Sequence, residues 1–208
     1  MNKFPIKIFK ESRLFFEGYF SVLNNFLQNK NLNTLINISN EIHKKIINKK
    51  KIFICGNGGS GSIADHFLCD FMKGVSSDTY FKPKIISLNS NPSLLSAIAN
   101  DLGYDKIFEF QLDNLAKAGD LIVLLSCSGN SKNIIRVIKL AKKKKVKIIG
   151  FTGFRGGYLK KNSDINFHVN ISNYGIVEDV FQITMHCLSQ FIRQKYLKNK
   201  TIKKNKFF

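Results

Sequence analysis

Two stretches of the chain carry side chains able to move protons or hold a metal. In Asp65-His66-Phe67-Leu68-Cys69-Asp70 an imidazole and a carboxylate stand four residues apart, a spacing that puts both on one face of a helix. Nearer the C-terminus Glu178, Gln182 and His186 step by four and form a second stripe. Such polar stripes are most often solvated helix faces. His186 departs from that pattern, because it lies in Ile183-Thr184-Met185-His186-Cys187-Leu188, among residues expected inside, and a buried imidazole needs partners. His43 and His168 have no comparable setting and read as structural.

Two loops have the composition of an anion cradle. Gly56-Asn57-Gly58-Gly59-Ser60-Gly61-Ser62 follows a β-type run and precedes a helix expected to start near Ile63. Glycines allow positive φ and close approach of backbone N–H groups, and a helix N-terminus favours an anion. A tight strand-to-helix turn would need the same glycines. The second loop, Ser126-Cys127-Ser128-Gly129-Asn130-Ser131, brings three hydroxyls to one helix start, where an N-cap uses one side-chain oxygen. A phosphate would use them all.

The elements that must position these groups alternate. Apolar residues recur at helical spacing at Phe9, Phe16, Phe20, Leu23 and Leu27, then at Leu35, Ile38, Ile42 and Ile46 after a cap near Asn33 or Thr34. From Lys51 short β-rich runs take over: 52–55, 84–88, 121–125, 146–151 and 165–169, separated by helical stretches that include 133–143 and 176–197. This alternation predicts an α/β fold, a three-layer sandwich with a central parallel sheet, helices on both faces and two N-terminal helices. Both loops then fall at C-terminal ends of parallel strands, where open α/β sheets bind ligands. One domain over 1–198 and a basic tail over 199–208 complete the expected organisation. Phe15, Phe16, Tyr19 and Phe20 cover more of the first helix than one sheet could hide, which predicts a helix-bundle interface between subunits.

The formal net charge of +19 raises the possibility of nucleic acid. Nearly all the cations are Lys, however, in a chain also rich in Asn, Ile and Phe, so AT-rich coding explains the excess as well as a ligand would. The densest run, Lys142 to Lys145, ends a helix, where cations suit the dipole and face water. No nucleic-acid partner is expected. No apolar stretch is long enough to cross a bilayer, so no membrane partner is expected either, and the chain reads as cytoplasmic. Cys55, Cys69, Cys127 and Cys187 are scattered without a CxxC pair, as reduced thiols filling a core.

Taken in order, Gly56-Asn57-Gly58-Gly59-Ser60, Asn100-Asp101-x-Gly103-Tyr104, Ser126-x-Ser128-Gly129-Asn130-Ser131 and Gly150-x-Thr152-Gly153 with Gly156-Gly157 resemble the motifs of the sugar-isomerase (SIS) fold phosphoheptose isomerases. The resemblance runs from the N-terminal helices to about Leu197. It implies that Ser126, Ser128 and Ser131 hold a substrate phosphate, with Asn57, Gly58, Gly59, Asn100 and Asp101 on the sugar and Cys127 and Glu178 also in the binding set. It implies interconversion of sedoheptulose 7-phosphate and D-glycero-D-manno-heptose 7-phosphate through an enediol, in heptose and surface-polysaccharide biosynthesis, by a homotetramer with sites at subunit boundaries.

In that family the helix after the glycine loop carries a His and, four residues on, a Glu, while the C-terminal helix carries a Gln and, eight on, a His. His66 and His186 match; Asp70 stands for the Glu and Glu178 for the Gln. Asp70 is expected as base and His186 as acid. The resemblance also implies one zinc per subunit on His66, Asp70, Glu178 and His186, a set acceptable to that metal. Without a cation, a second carboxylate at Glu178 would raise the pKa of one nearby. Another sugar phosphate, or a non-catalytic SIS sensor or replication-initiator-associating adaptor, are the competing readings, since fold analogy alone does not separate them.

Overall fold

The computed structural model of the chain describes residues 2–77 and 79–197. The basic tail expected at 199–208 lies outside the described residues. In order the elements are β1 (Asn2–Lys3), α1 (Ser12–Gln28), α2 (Leu32–Ile47), β2 (Lys51–Gly56), α3 (Gly59–Cys69), a π-helical turn (Asp70–Val75), β3 (Lys84–Ser87), α4 (Pro92–Leu102), a 3₁₀ turn (Tyr104–Lys106), α5 (Glu109–Leu115), β4 (Leu121–Ser126), α6 (Lys132–Lys143), β5 (Lys147–Thr152), α7 (Gly157–Asn162), β6 (Ile165–His168), β7 (Ile171–Ser172) and α8 (Tyr174–Gln194).

Five parallel strands form the main sheet in the order β3-β2-β4-β5-β6. β4 is buried along its whole length, as its continuous run of β-branched and leucine side chains requires of a central strand. Successive side chains alternate faces and so build two cores. Ile52, Ile54, Val123, Leu125 and Phe151 pack with Ile38 and Ile42 of α2, Phe67 of α3 and Phe181 and Met185 of α8. Phe53, Cys55, Ile122, Leu124 and Ile148 pack with Ile98 of α4, Leu112 of α5, Ile134, Val137 and Ile138 of α6 and Leu159 of α7. The predicted three-layer sandwich is therefore present.

Four expectations are corrected. The cap of α2 is Asn31, whose Oδ1 accepts from Thr34 N at 3.3 Å, because the helix begins before the apolar stripe does. Phe15 and Tyr19 turn inward, against Phe4 at 5.1 and 5.8 Å between ring centroids, and Tyr19 Oη donates to Asp179 at 2.6 Å; Phe16 and Phe20 stay exposed. Cys69 and Cys187 are exposed, and only Cys55 and Cys127 fill the core. α3 also starts at Gly59 rather than near Ile63. The short parallel pair β1–β7 was not foreseen, being two residues long on each side.

β2 and β4 are neighbours, yet β2 leads into α3 on one face of the sheet and β4 into α6 on the other. That divergence is the topological switch point, and it opens a crevice beyond the C-terminal strand ends. Both anion-cradle loops border it.

Candidate active site

At the crevice the two loops are tied together. Asn57 Nδ2 donates to Asn133 Oδ1 at 3.0 Å and Asn133 Nδ2 returns the bond to Asn57 Oδ1 at 2.8 Å. Tyr104 Oη also donates to Asn57 Oδ1, at 3.1 Å. Asn57, expected on the sugar, thus spends its amide on a clamp between the loops; Tyr104 had stood out only as the end of the Asn100-to-Tyr104 motif, and Asn133 only as the start of a helix. Asn57, Tyr104, Asp105, Ser131, Lys132 and Asn133 surround a cavity of about 720 Å³.

Within the second loop Ser126 is buried, and its Oγ accepts from Gly129 N at 3.1 Å, so it shapes the turn. Ser128 Oγ accepts from Asn130 N at 3.2 Å. Ser131 occupies the N-cap position of α6 without making a side-chain cap, and it lines the cavity. Gly129, at φ +67°, could not become a larger residue: a Cβ there would stand 2.0 Å from Gly156 O. Gly58, at φ +54°, has open space around its missing side chain, and Gly59 begins α3. Asn100 and Asp101 sit in the last turn of α4, both exposed, and bond to each other at 2.8 Å. They line neither the cavity around Asn57 nor the one at the histidines.

α3 and α8 run side by side in the same direction. Ser60 meets Glu178, His66 meets His186 and Asp70 meets Ser189, separations of 118, 120 and 119 residues, so contacts advance together along both helices. His66 Nε2 lies 2.9 Å from His186 Nε2 and 3.4 Å from Asp70 Oδ1, and His186 Nε2 lies 3.8 Å from Asp70 Oδ2. Asp70 is buried and opens the π turn, a distortion that frequently marks functional sites. Ser189, 2% exposed, donates to Asp70 Oδ2 at 3.3 Å and lies 3.1 Å from the carbonyl of His186. It escaped sequence reasoning because serine in an apolar helix carries no signal until its neighbour is known. His66, Cys69, Asp70, Lys73, His186, Ser189 and Gln190 enclose about 290 Å³.

His66, Asp70 and His186 form a group able to hold a metal ion, each offering one ligand atom within 4.8 Å of the others. Two imidazoles and a carboxylate suit zinc. Glu178, expected as the fourth ligand, is not part of that group. Its Oε1 accepts from Ser60 Oγ at 3.0 Å and lies 4.0 Å from Cys127 Sγ, and its Oε2 fills the space where a Gly59 side chain would be, 2.2 Å from the position of a Cβ. Two turns of α8, roughly 12 Å, separate it from His186. Burial first, and then the Glu178 charge, push the Cys127 thiol up to about 12. Burial and Lys160 lower the pKa of His168, whose Nδ1 lies 3.0 Å from Thr152 Oγ1, and burial lowers that of His43, stacked on Tyr196.

The sequence model of the SIS domain matches residues 15–153. This chain belongs to the SIS-domain family. Within it, the chain is 38% identical over 149 residues to the phosphoheptose isomerase of Campylobacter concisus, covering 72% of this chain and 78% of that protein. It is 37% identical over 169 residues to the probable phosphoheptose isomerase of Thermoplasma acidophilum, covering 81% and 92%. The structure of a phosphoheptose isomerase from Neisseria gonorrhoeae superposes with a TM-score of 0.77 at 26% identity, over 88% of this chain and 96% of that one. The SIS fold of these relatives is the three-layer sandwich described above. No helix among the described residues is long and apolar enough to cross a membrane.

Proposed function

We propose that the chain is an aldose–ketose isomerase interconverting sedoheptulose 7-phosphate and D-glycero-D-manno-heptose 7-phosphate. The observation that carries this reading is the spacing along α8: a proton-transfer group at His66, Asp70 and His186 lies two helical turns from the end of the seam where Glu178 meets the two loops at the switch point. A long phosphosugar fits that layout, phosphate at the serine loop and carbonyl end at the histidines. The similarity to phosphoheptose isomerases points to the seven-carbon substrate.

Asp70 is the base that removes the proton from the carbon beside the carbonyl, and His186 the acid that protonates the carbonyl oxygen; Asp70 then returns its proton to the former carbonyl carbon while the hydroxyl on the first carbon gives its proton to His186 and becomes the new carbonyl. Asp70 is one methylene shorter than the glutamate of the resemblance, and the π turn together with Ser189 sets it against both imidazoles. Ser128 and Ser131 hold the phosphate with the first amides of α6. With a zinc ion on His66, Asp70 and His186 those side chains would instead serve as ligands, and the ion would supply Lewis-acid polarisation of the carbonyl in place of the proton from His186.

The chain works as a homotetramer, in keeping with exposed Phe16 and Phe20 on α1 and an apolar groove of about 290 Å³ between α2 and α8, lined by Leu32, Leu35, Ile36, Leu188 and Phe191. Light scattering that finds a stable monomer at micromolar concentration removes that assembly. Its four cysteines are all free, which suits a reducing cytoplasm. The deciding experiment incubates the purified protein with a panel of ketose phosphates and follows aldose formation by NMR. Turnover of the heptulose phosphate supports the proposal, turnover of another sugar alone changes the substrate, and binding without turnover favours a sensor.

A further inference from the structure

Gln182 lies between Glu178 and His186 on the same stripe of α8, and its amide reaches the histidines. Gln182 Nε2 stands 2.9 Å from His186 Nε2, the same atom that lies 2.9 Å from His66 Nε2 and 3.8 Å from Asp70 Oδ2. Hydrogen bonds meet this convergence only unevenly, with His66 Nε2–H turned to Asp70 Oδ1 at 3.4 Å or with the Gln182 amide reversed. An imidazole Nε2 carries either one lone pair or one hydrogen in the ring plane. As an acceptor, His186 Nε2 has one lone pair for two neighbouring donors. As a donor, it has one hydrogen, and the amide nitrogen facing it accepts none.

A cation resolves the conflict. Both imidazoles then present lone pairs, Asp70 a carboxylate oxygen, and the Gln182 amide its oxygen. Exchanging amide oxygen and nitrogen barely changes the shape of the side chain, so the same rotamer serves. Glu178 is meanwhile committed to Ser60 and the Gly59 backbone, two helical turns from His186. We propose that Gln182, rather than Glu178, is the fourth protein donor to a divalent cation held by His66, Asp70 and His186. This rests on the zinc reading of the site but on no substrate. One carboxylate leaves the site with a net positive charge, the state that best polarises a substrate oxygen, and a neutral amide is the weakest of the four donors and the one such an oxygen can displace. A second carboxylate would cancel that charge.

The test compares the full-length parent with Q182A, Q182E and E178Q, purified without chelator, stripped, and titrated with Zn²⁺ against a chromophoric chelator and with Co²⁺ followed by visible absorption. In Q182A the Zn²⁺ affinity should fall by about 10- to 100-fold, the scale on which donors and their supports act at such sites, and the Co²⁺ bands should shift. Q182E, which keeps an oxygen donor, should bind at least as tightly as the parent. E178Q should match the parent within about threefold, with an unchanged Co²⁺ spectrum. Circular dichroism confirms that each variant is folded. An unchanged affinity in Q182A, a loss in E178Q, or a parent that binds neither metal overturns the proposal. A parent that binds zinc through Gln182 yet isomerises no ketose phosphate leaves it standing and refutes the isomerase reading instead.

Discussion

The two ends of the proposed site are built by different means. At the loop end, Gly56 to Ser62 and Ser126 to Ser131 are contiguous in sequence and each follows a strand, so local chemistry and one switch point suffice. At the helix end, His66 and His186 are 120 residues apart and meet only because α3 and α8 pack in parallel. The loop end sets exposed Gly58, Gly59 and Asn130 beside buried Ser126 and Asn133 and is clamped by amides; the helix end sets exposed His66 and half-buried His186 on a buried carboxylate supported by one serine. Binding residues can be assembled by turns, whereas a proton-transfer group needs the rigidity of packed helices, since misplacement by about 1 Å can cost as much as 10²-fold in rate.

The largest effect that would sharpen this contrast is at the helix end. His186→Ala and Asp70→Asn should each lower kcat by about 10²- to 10⁴-fold, the range for a positioned acid or base, with phosphosugar affinity changed far less. Steady-state kinetics and calorimetry on the same samples check it, and a variant that loses affinity but keeps its turnover erases the division of labour.

Next in size is the loop end. Ser128→Ala and Ser131→Ala should each weaken sugar-phosphate binding roughly tenfold or more, since a hydrogen bond to a charged group contributes about 1.5–3 kcal/mol. Both variants should keep the parent's melting temperature. Tight binding by both would move the phosphate elsewhere.

Subtler is Ser189→Ala. Losing the hydroxyl that faces Asp70 should reduce kcat severalfold with little change in KM and should move the side-chain ¹⁵N resonances of His66 and His186. Ser189→Thr, which restores a hydroxyl, should recover much of the rate. Unmoved imidazole resonances would make Ser189 a packing residue only.

The smallest effect concerns thiols. Of the four cysteines, Cys69 and Cys187 are exposed, while Cys55 and Cys127 are buried. Burial and the nearby Glu178 charge hold Cys127 protonated, so raising the pH from 7 to 9 should not expose a thiolate there. Mass spectrometry after iodoacetamide should find two labelled sites, with Cys69 protected by bound substrate because it borders the histidine cavity. Rapid labelling of Cys127 would show that the loop end opens.

What the sequence determined by itself is whatever depends on near neighbours. The main-sheet strands were legible within a residue or two because a buried parallel strand must be a short apolar run, and the two cradle loops because only glycine tolerates the backbone that Gly58 and Gly129 adopt. His66 with Asp70 was legible as one face of a helix, whereas which of Phe15, Phe16, Tyr19 and Phe20 face outward was not. Tertiary structure alone decided which stripe positions meet. Sequence spacing places Glu178, Gln182 and His186 on one line and says nothing of how far α8 slides along α3. Packing set that slide, bringing Glu178 to Ser60 and Gln182 to the histidines, and it made a buried serine at 189 the neighbour of a buried carboxylate at 70. Helical periodicity fixes an angle around an axis, whereas the register between two helices comes from the side chains that interlock between them.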